Sequence, residues 1–207
     1  MTGYASIHGT NHDDTIDTSG FGGRADWIDG KSGHDTITSG GGNDTVFAGS
    51  GKDLVYAGSG KDVVSGGSGD DTVYAGSGND SVGGGSNDDS LFGESGADTL
   101  FGDSGDDYIT GGSHDDQLTG GTGSDAFFYD SGFGDDIITD FDTGTDVLEI
   151  KACINGTSIS SAADLVPYVT EISGNAVISF SNGDSITLQG VSRTDLLNDL
   201  NDIVHIV

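Results

Sequence analysis

The sequence predicts an all-β fold, a parallel β-solenoid of 18 residues per coil closed at its C-terminal end by a small α+β cap. Three regularities predict it: twelve aspartates stand at an unbroken spacing of nine, an apolar residue follows each of them by two, and glycine precedes most of them by two and by four. Self-similarity at so short a period belongs to chains whose units cannot bury a core alone and must stack.

The aspartates are Asp26, Asp35, Asp44, Asp53, Asp62, Asp71, Asp80, Asp89, Asp98, Asp107, Asp116 and Asp125, and the apolar residues run in step from Ile28, Ile37 and Val46 to Leu118 and Phe127. With the aspartate as position six of nine, glycine fills position four in nine of the twelve units, among them Gly33, Gly42, Gly51, Gly60, Gly69, Gly78, Gly96 and Gly105. It fills position two equally often, as at Gly49, Gly58, Gly67, Gly76 and Gly85. Turns that need positive φ explain both columns. At position four, Asn87 and His114 are residue types that tolerate the left-handed region and Arg24 is not, so the first turn should be weak. Upstream, Gly9 to Ile16 reads as a degenerate copy set twelve residues ahead of the next aspartate instead of nine. This divides the chain into an N-terminal cap (1–25), a regular array (26–130) and a C-terminal cap (131–207).

Six residues of turn and three of strand reverse the chain every nine residues, so two units make one coil and alternate strands fall on two facing sheets. Position eight points inward from both, stacking small aliphatics at ~4.8 Å per coil. One inward side chain per nine residues is too little for the hydrophobic effect to hold the fold alone.

Composition indicates what else holds it. The 207 residues are 32% hydrophobic and carry a formal charge of -29, values that ordinarily belong to disordered acidic chains. Of the 35 acidic residues only Glu94, Glu149 and Glu171 are glutamates. Solubility alone would not select so one-sidedly, whereas the short, stiff aspartate suits oxygen ligation of a hard cation from a tight loop. Aspartates 18 apart, such as Asp53 with Asp71, fall one coil apart on the same edge, where like charges ~5 Å apart repel by roughly 1 kcal/mol per pair even in water. A Ca2+ between two such turns reverses that sign, taking a carboxylate from each and completing its shell with turn carbonyls. With only six Lys and Arg, nucleic acid and anionic membrane surfaces are set aside as partners. Cys153 is the only cysteine, which leaves no intramolecular disulfide and no cysteine-based zinc site. The segment Met1 to Ser6 lacks the basic stretch and apolar core of a cleaved secretion signal, and no stretch reaches the length of a membrane span.

The pattern G-G-x-G-x-D-x-U-x, nearly at consensus in Ser65 to Val73 and Gly120 to Phe127, resembles the nonapeptide repeat of the RTX (repeats-in-toxin) family. The resemblance covers roughly residues 9 to 146. It implies a calcium-stabilised parallel β-roll in which each ion bridges adjacent coils, with ligands from Asp35, Asp44, Asp53, Asp62, Asp71, Asp80, Asp89, Asp98, Asp107, Asp116 and Asp125 and from the position-two and position-four glycines named above. Twelve units allow ten such pairings, weakened near Arg24, Lys31, Glu94 and Asp103, so about eight to ten Ca2+ ions are expected. The stretch from Phe127 to Leu148 looks like the end of such an array, and the region beyond it is similar to the cap of secreted RTX proteases, lipases and polysaccharide-modifying enzymes. The terminus, Asp202-Ile203-Val204-His205-Ile206-Val207, resembles the uncleaved signal read by type I secretion machinery. A secreted protein, extracellular or at the cell surface, follows from that resemblance. A plain edge strand is the other reading of those six residues.

Within the C-terminal region, 161–169 reads as a short helix troubled by Pro167, 176–180 and 185–188 as a hairpin through Asn182-Gly183, and 192–200 as a second helix. Asp140, Asp142 and Asp146 around Gly144 suggest an additional calcium loop without the full EF-hand pattern. Position-five aspartates such as Asp70, Asp88, Asp106 and Asp115 should face solvent. Tyr56, Tyr74 and Phe92, 18 apart with Leu54 beside them, should form an outward column able to stack on a polysaccharide, or simply to stabilise the sheet. Neither H-E-x-x-H nor G-x-S-x-G occurs, and His8, His12, His34, His114 and His205 are scattered. The expected function is therefore a calcium-dependent folding and export module and not an enzyme. The alternatives are a carbohydrate- or surface-binding, adhesin-like module, or the C-terminal part of a secreted protease, lipase or polysaccharide epimerase or lyase.

Overall fold

The computed structural model describes residues 5–207. Strands β1 to β4 (Ala5–His8, Thr15–Asp17, Asp26–Asp29, Thr36–Thr38) begin a winding of short elements that alternate between two sheets. Strands β5 to β11 (Thr45–Ser50, Leu54–Ser59, Val63–Ser68, Thr72–Ser77, Ser81–Ser86, Ser90–Ser95, Thr99–Ser104) are six residues each. Then come β12 to β16 (Tyr108–Thr110, Gln117–Thr122, Ala126–Tyr129, Asp135–Ile138, Val147–Ile150). The last elements are β17 (Val169–Ile172), β18 (Asn175–Ser179), β19 (Ser185–Leu188), helix α1 (Arg193–Ile203) and β20 (Val204–Ile206). Odd-numbered strands from β1 to β15 pair in parallel in one sheet, and even-numbered strands from β2 to β16 in the other.

The register is the sequence period made visible. Val46, Val64, Val82, Leu100 and Leu118 are Cα partners down one sheet. Ile37, Val55, Val73, Leu91, Ile109 and Phe127 are partners down the other. All are buried, forming one continuous stack between the sheets.

Two features differ from the simplest nine-residue scheme. The regular strands run from position seven to position three, twice the three residues expected, because the position-two glycines stay in parallel register (Gly49 with Gly67, Gly58 with Gly76) while bending the chain at φ 118 and 103°. There is also a second inward position, position one, held by buried Ala48, Ala57 and Ala75 and otherwise by Gly or Ser from Gly30 to Gly120. It must be small because the repeat carboxylate of its own unit lies against it: a Cβ at Gly111 would collide with Asp116 Oδ2.

Lys31, Glu94 and Asp103 at position two, and Asn87 and His114 at position four, adopt φ of 70 to 85° and keep the turn in spite of their side chains. Such a conformation costs roughly 1–2 kcal/mol per L-residue. In the first turn the left-handed residues are Gly22 and Gly23 (φ 72 and 64°), not Arg24. The extra length there shows in the pairing, since Ala5 partners Asp26 and Thr15 partners Thr36, 21 residues on instead of 18.

At the other end both sheets continue into the cap, β19 pairing in parallel with β15 and β20 with β16. The expected hairpin is β18 and β19, and β17 adds to it antiparallel. Residues 162–168 form a 3-10 helix and not an α-helix; Pro167 has no N–H to give, and Asp164 caps the start by accepting from Ser161 N–H and hydroxyl (3.0 Å each). Helix α1, capped by Ser192, buries Leu196, Leu200 and Ile203. Of the six terminal residues that resemble a secretion signal, Asp202 and Ile203 end α1 and Val204–Ile206 make the edge strand β20. Among the described residues no helix is long and apolar enough to cross a membrane.

Candidate metal centre

The repeat aspartates are placed by the same local logic: strand residues follow, and two positions before stands a residue of positive φ, glycine in nine of the twelve units, Asn87 and His114 in two, with Arg24 before Asp26 the exception. The twelve are 0 to 3% exposed. From Asp44 on, each carboxylate of one edge spends one oxygen on the coil before it: Asp44 Oδ1 accepts the Asp26 N–H, Asp62 that of Asp44, and so on through Asp80, Asp98 and Asp116, at 2.7 to 2.8 Å. On the other edge Asp35, Asp53, Asp71, Asp89, Asp107 and Asp125 form the matching column from Asp14 onward, at 2.7 to 3.0 Å.

The second oxygen has no such partner. Oδ2 of Asp35, Asp44, Asp53, Asp62, Asp71, Asp80, Asp89, Asp98, Asp107 and Asp116 is buried without a hydrogen bond, as is Oδ1 of Asp26. An uncompensated buried carboxylate is expensive. Burial accordingly pushes the carboxyls up, Asp62, Asp107 and Asp125 to about 6 and Asp71, Asp89, Asp98 and Asp116 to about 7, with the backbone N–H bond pulling back and neighbouring aspartates adding to the rise. Asp35, Asp44, Asp53 and Asp80 move in the same direction, burial first.

The predicted glycine ligands fall into two groups. At position four, Gly33, Gly42, Gly51, Gly60, Gly69, Gly78, Gly96 and Gly105 each donate N–H to a position-three carbonyl of the next coil, for example Gly42 to Ser59 at 2.8 Å, yet their own carbonyls accept no backbone N–H. Those oxygens point along the column, so a Cβ at Gly51 would collide with the Gly33 carbonyl and one at Gly60 with that of Gly42. At position two, the carbonyls of Lys31, Gly40 and Glu94 accept the position-three N–H one coil on. Gly49, Gly58, Gly67, Gly76 and Gly85 lie in the paired strands at the same position. Free carboxylate oxygens and free carbonyls two residues apart in each turn are a donor set of hard oxygens, which fits Ca2+. No three His, Cys, Asp or Glu side chains converge among the described residues, so any ion in the roll draws on backbone as well as carboxylates.

Three further members of the columns stand off the strict nine-residue spacing, Asp14 in the degenerate upstream copy and Asp136 and Asp146 beyond the array. Asp14 donates to Asp35; Asp136 accepts from Asp116 (2.9 Å) and Asp146 from Asp125 (3.1 Å). Asp136 and Asp146 follow at intervals of eleven and ten, and the signal that could have found them is Gly134-x-Asp136-x-Ile138 and Gly144-x-Asp146-x-Leu148. Burial pushes Asp136 up to about 9, the largest rise in the column. Asp140, Asp142 and Asp146 do not assemble the separate loop suggested by sequence. Asp140 accepts from Gly120 and Gly121, Asp142 from Gly144, and both Asp146 oxygens accept backbone N–H groups.

Asp70, Asp88, Asp106 and Asp115 are exposed, but three of them are not idle. Asp88 accepts from Asp106 N–H, Asp106 from Ser124 and Asp115 from Asp135, at 2.8 to 3.0 Å, a second ladder that reaches to the following coil. His34 joins it through Nδ1, accepting from Lys52 at 2.7 Å. All five histidines are exposed. Tyr56, Tyr74 and Phe92 do stack, with centroids 5.1 and 4.7 Å apart and planes within 6 and 10°. Tyr108 and Phe128 extend the column. The ring faces are spent on one another, leaving edges outward.

Comparisons with known proteins bear on the same residues. The family model for the RTX calcium-binding nonapeptide repeat matches residues 22–55, 56–91 and 92–127. No curated protein matches the chain. Among solved structures, the chain is similar to an extracellular lipase from Serratia marcescens, at 21% identity and a TM-score of 0.40; all of the chain is covered, and it spans 40% of the lipase. It is also similar to a subunit of the mannuronan C5-epimerase from Azotobacter vinelandii, at 25% identity and a TM-score of 0.46, over 62% of this chain and 78% of that one. With the family match running unbroken over half its length and the repeat turns stacked in two columns, the chain belongs to the RTX calcium-binding nonapeptide repeat family.

Proposed function

We propose that this chain is a calcium-triggered folding module of a secreted protein, exported through a type I system, and that catalysis is not its task. The observation that carries the reading is the pair of buried carboxylate columns, each with one oxygen fixed by the neighbouring coil and the other without a partner. At neutral pH those charges oppose the folded roll, and its thin aliphatic stack cannot offset them. Ca2+ between successive turns converts the repulsion into attraction, so binding and folding become one event. The ten consecutive pairs within the nonapeptide array set the expectation of eight to ten ions. In a low-calcium cytosol the chain stays unfolded and fit for export, and it folds outside, where calcium modules bind at ~10⁻⁴ to 10⁻³ M. Circular dichroism tests this directly: excess chelator should leave the chain largely unstructured and millimolar Ca2+ should restore the β spectrum, whereas a full β spectrum in chelator would end the proposal.

A further inference from the structure

The charge of the array is not spread evenly along it. Residues 24–61 carry five aspartates against Arg24, Lys31, Lys52 and Lys61, a formal charge of -1, whereas residues 62–127 carry fourteen acidic residues and no Lys or Arg. The outer ladder sets this contrast beside the buried columns. Position five of each turn adjoins the repeat aspartate, and in the N-terminal turns its acceptors are neutral: His34 takes the Lys52 N–H at 2.7 Å and Asn43 the Lys61 N–H at 3.0 Å. Each of those donors brings an exposed ammonium to the same place, next to Asp53 and Asp62. Further on the place holds carboxylates, Asp70 beside Asp71, then Asp88, Asp106 and Asp115, the last three accepting N–H groups of the following coil. Position two repeats the division, with Lys31 in one segment and Glu94 and Asp103 in the other, and the Lys31 ammonium is held along the first coil by the Gly9 carbonyl at 2.6 Å. Burial raises the Asp71 and Asp107 carboxyls first; beyond that, Asp70 adds to the rise at Asp71 and Lys52 opposes it, while Asp88, Asp103 and Asp106 all add to the rise at Asp107. A fixed ammonium beside a column repels a divalent cation as a fixed carboxylate attracts it.

We propose that the array holds two grades of calcium turn, weak from Asp26 to Asp62 and tight from Asp89 on, so that the N-terminal coils unwind first as calcium falls while the rest of the roll and the cap stay wound. This rests on the calcium reading of the array and adds a graded response to it. Hydrogen exchange of the full chain, followed by mass spectrometry across a calcium titration, tests it. Amides of β5 to β7 should need at least ~threefold more calcium for protection than those of β10 to β13. Lys52→Asp with Lys61→Asp changes only exposed side chains, leaves His34 and Asn43 as acceptors, and should close that gap without moving β10 to β13. Asp70→Lys, the reciprocal change, should raise the calcium needed to protect β8 and β10 several-fold. One midpoint shared by all strands of the parent chain overturns the inference. So does a gap that survives the double replacement, since fraying of the end coils would then account for it. Full protection in chelator would instead end the calcium reading of the array, a result distinct from the other two.

Discussion

Replacing Asp71 by asparagine exchanges one oxygen for an amide nitrogen in the middle of a column and should act with opposite sign on the two states of the roll. Asn can still accept the Asp53 N–H that Asp71 Oδ1 accepts at 2.8 Å. Burial raises the Asp71 carboxyl from 3.8 to about 7, so in the calcium-free roll its charge is opposed at any pH above that. Three units at ~1.36 kcal/mol each give ~4 kcal/mol, which solvent at the roll's edge reduces to about 2 kcal/mol. Because the folded value is raised, the penalty is absent below the unfolded value of 3.8, grows as pH rises and is complete above about 7. Asp71→Asn removes it. In chelator, the pH below which circular dichroism reports the fold should therefore move upward. With calcium, Asp71 lies between Asp53 and Asp89 and serves two consecutive pairs, so its loss should raise the calcium midpoint at least tenfold, about 1.4 kcal/mol per site. A variant less folded in chelator and in calcium alike would refute the reasoning, because Asp71 would then matter for packing and not for charge.

Asp26→Asn, with one column neighbour in Asp44 and an irregular turn beside it, should barely move the calcium midpoint, while Asp125→Asn, next to the cap, should move it most; equal midpoints in titrations would mean independent sites. The calcium midpoint of the parent chain should rise as pH falls from 8 to 6, since protons compete at carboxyls pushed up to about 6 and 7, and titrations at the two pH values check it. Gly60→Ala places a Cβ against the Gly42 carbonyl at φ 132°, and should cost at least ~3 kcal/mol and prevent folding at millimolar calcium by circular dichroism. Removing residues 193–207 takes away α1 and β20 and should abolish export from a type I host, measured as secreted against cellular protein.

The period, the two-sheet winding and the aspartate columns were legible because identical turns repeat under one constraint, and a strict constraint leaves a strict record at Asp35 to Asp125. What escaped depends on neighbours 18 residues away. Position one looks like a second glycine until the carboxylate packed against it is seen. Asp136 and Asp146 serve the columns although two and one added residues, respectively, break the count, since a longer strand exit is absorbed outside the turn. Position-five carboxylates such as Asp88 and Asp106 read as surface charge, and only the stacked coil reveals the N–H each one meets. Pro167 signalled trouble in a helix but could not say that a 3-10 turn would resolve it.

The buried ladder has a direction. Each repeat carboxylate reaches toward the N-terminal coil and never the C-terminal one, so a partly wound roll has two unlike ends. If winding begins at the cap, the exposed growth front is a row of hydrated anions already oriented, which gathers cations before the next coil arrives. Winding from the other end would present bare amide hydrogens and attract none. A chain laid down from the cap backward is thus its own template, with the ion as the mortar between courses, and the polarity of assembly is written in which oxygen of each aspartate faces which way.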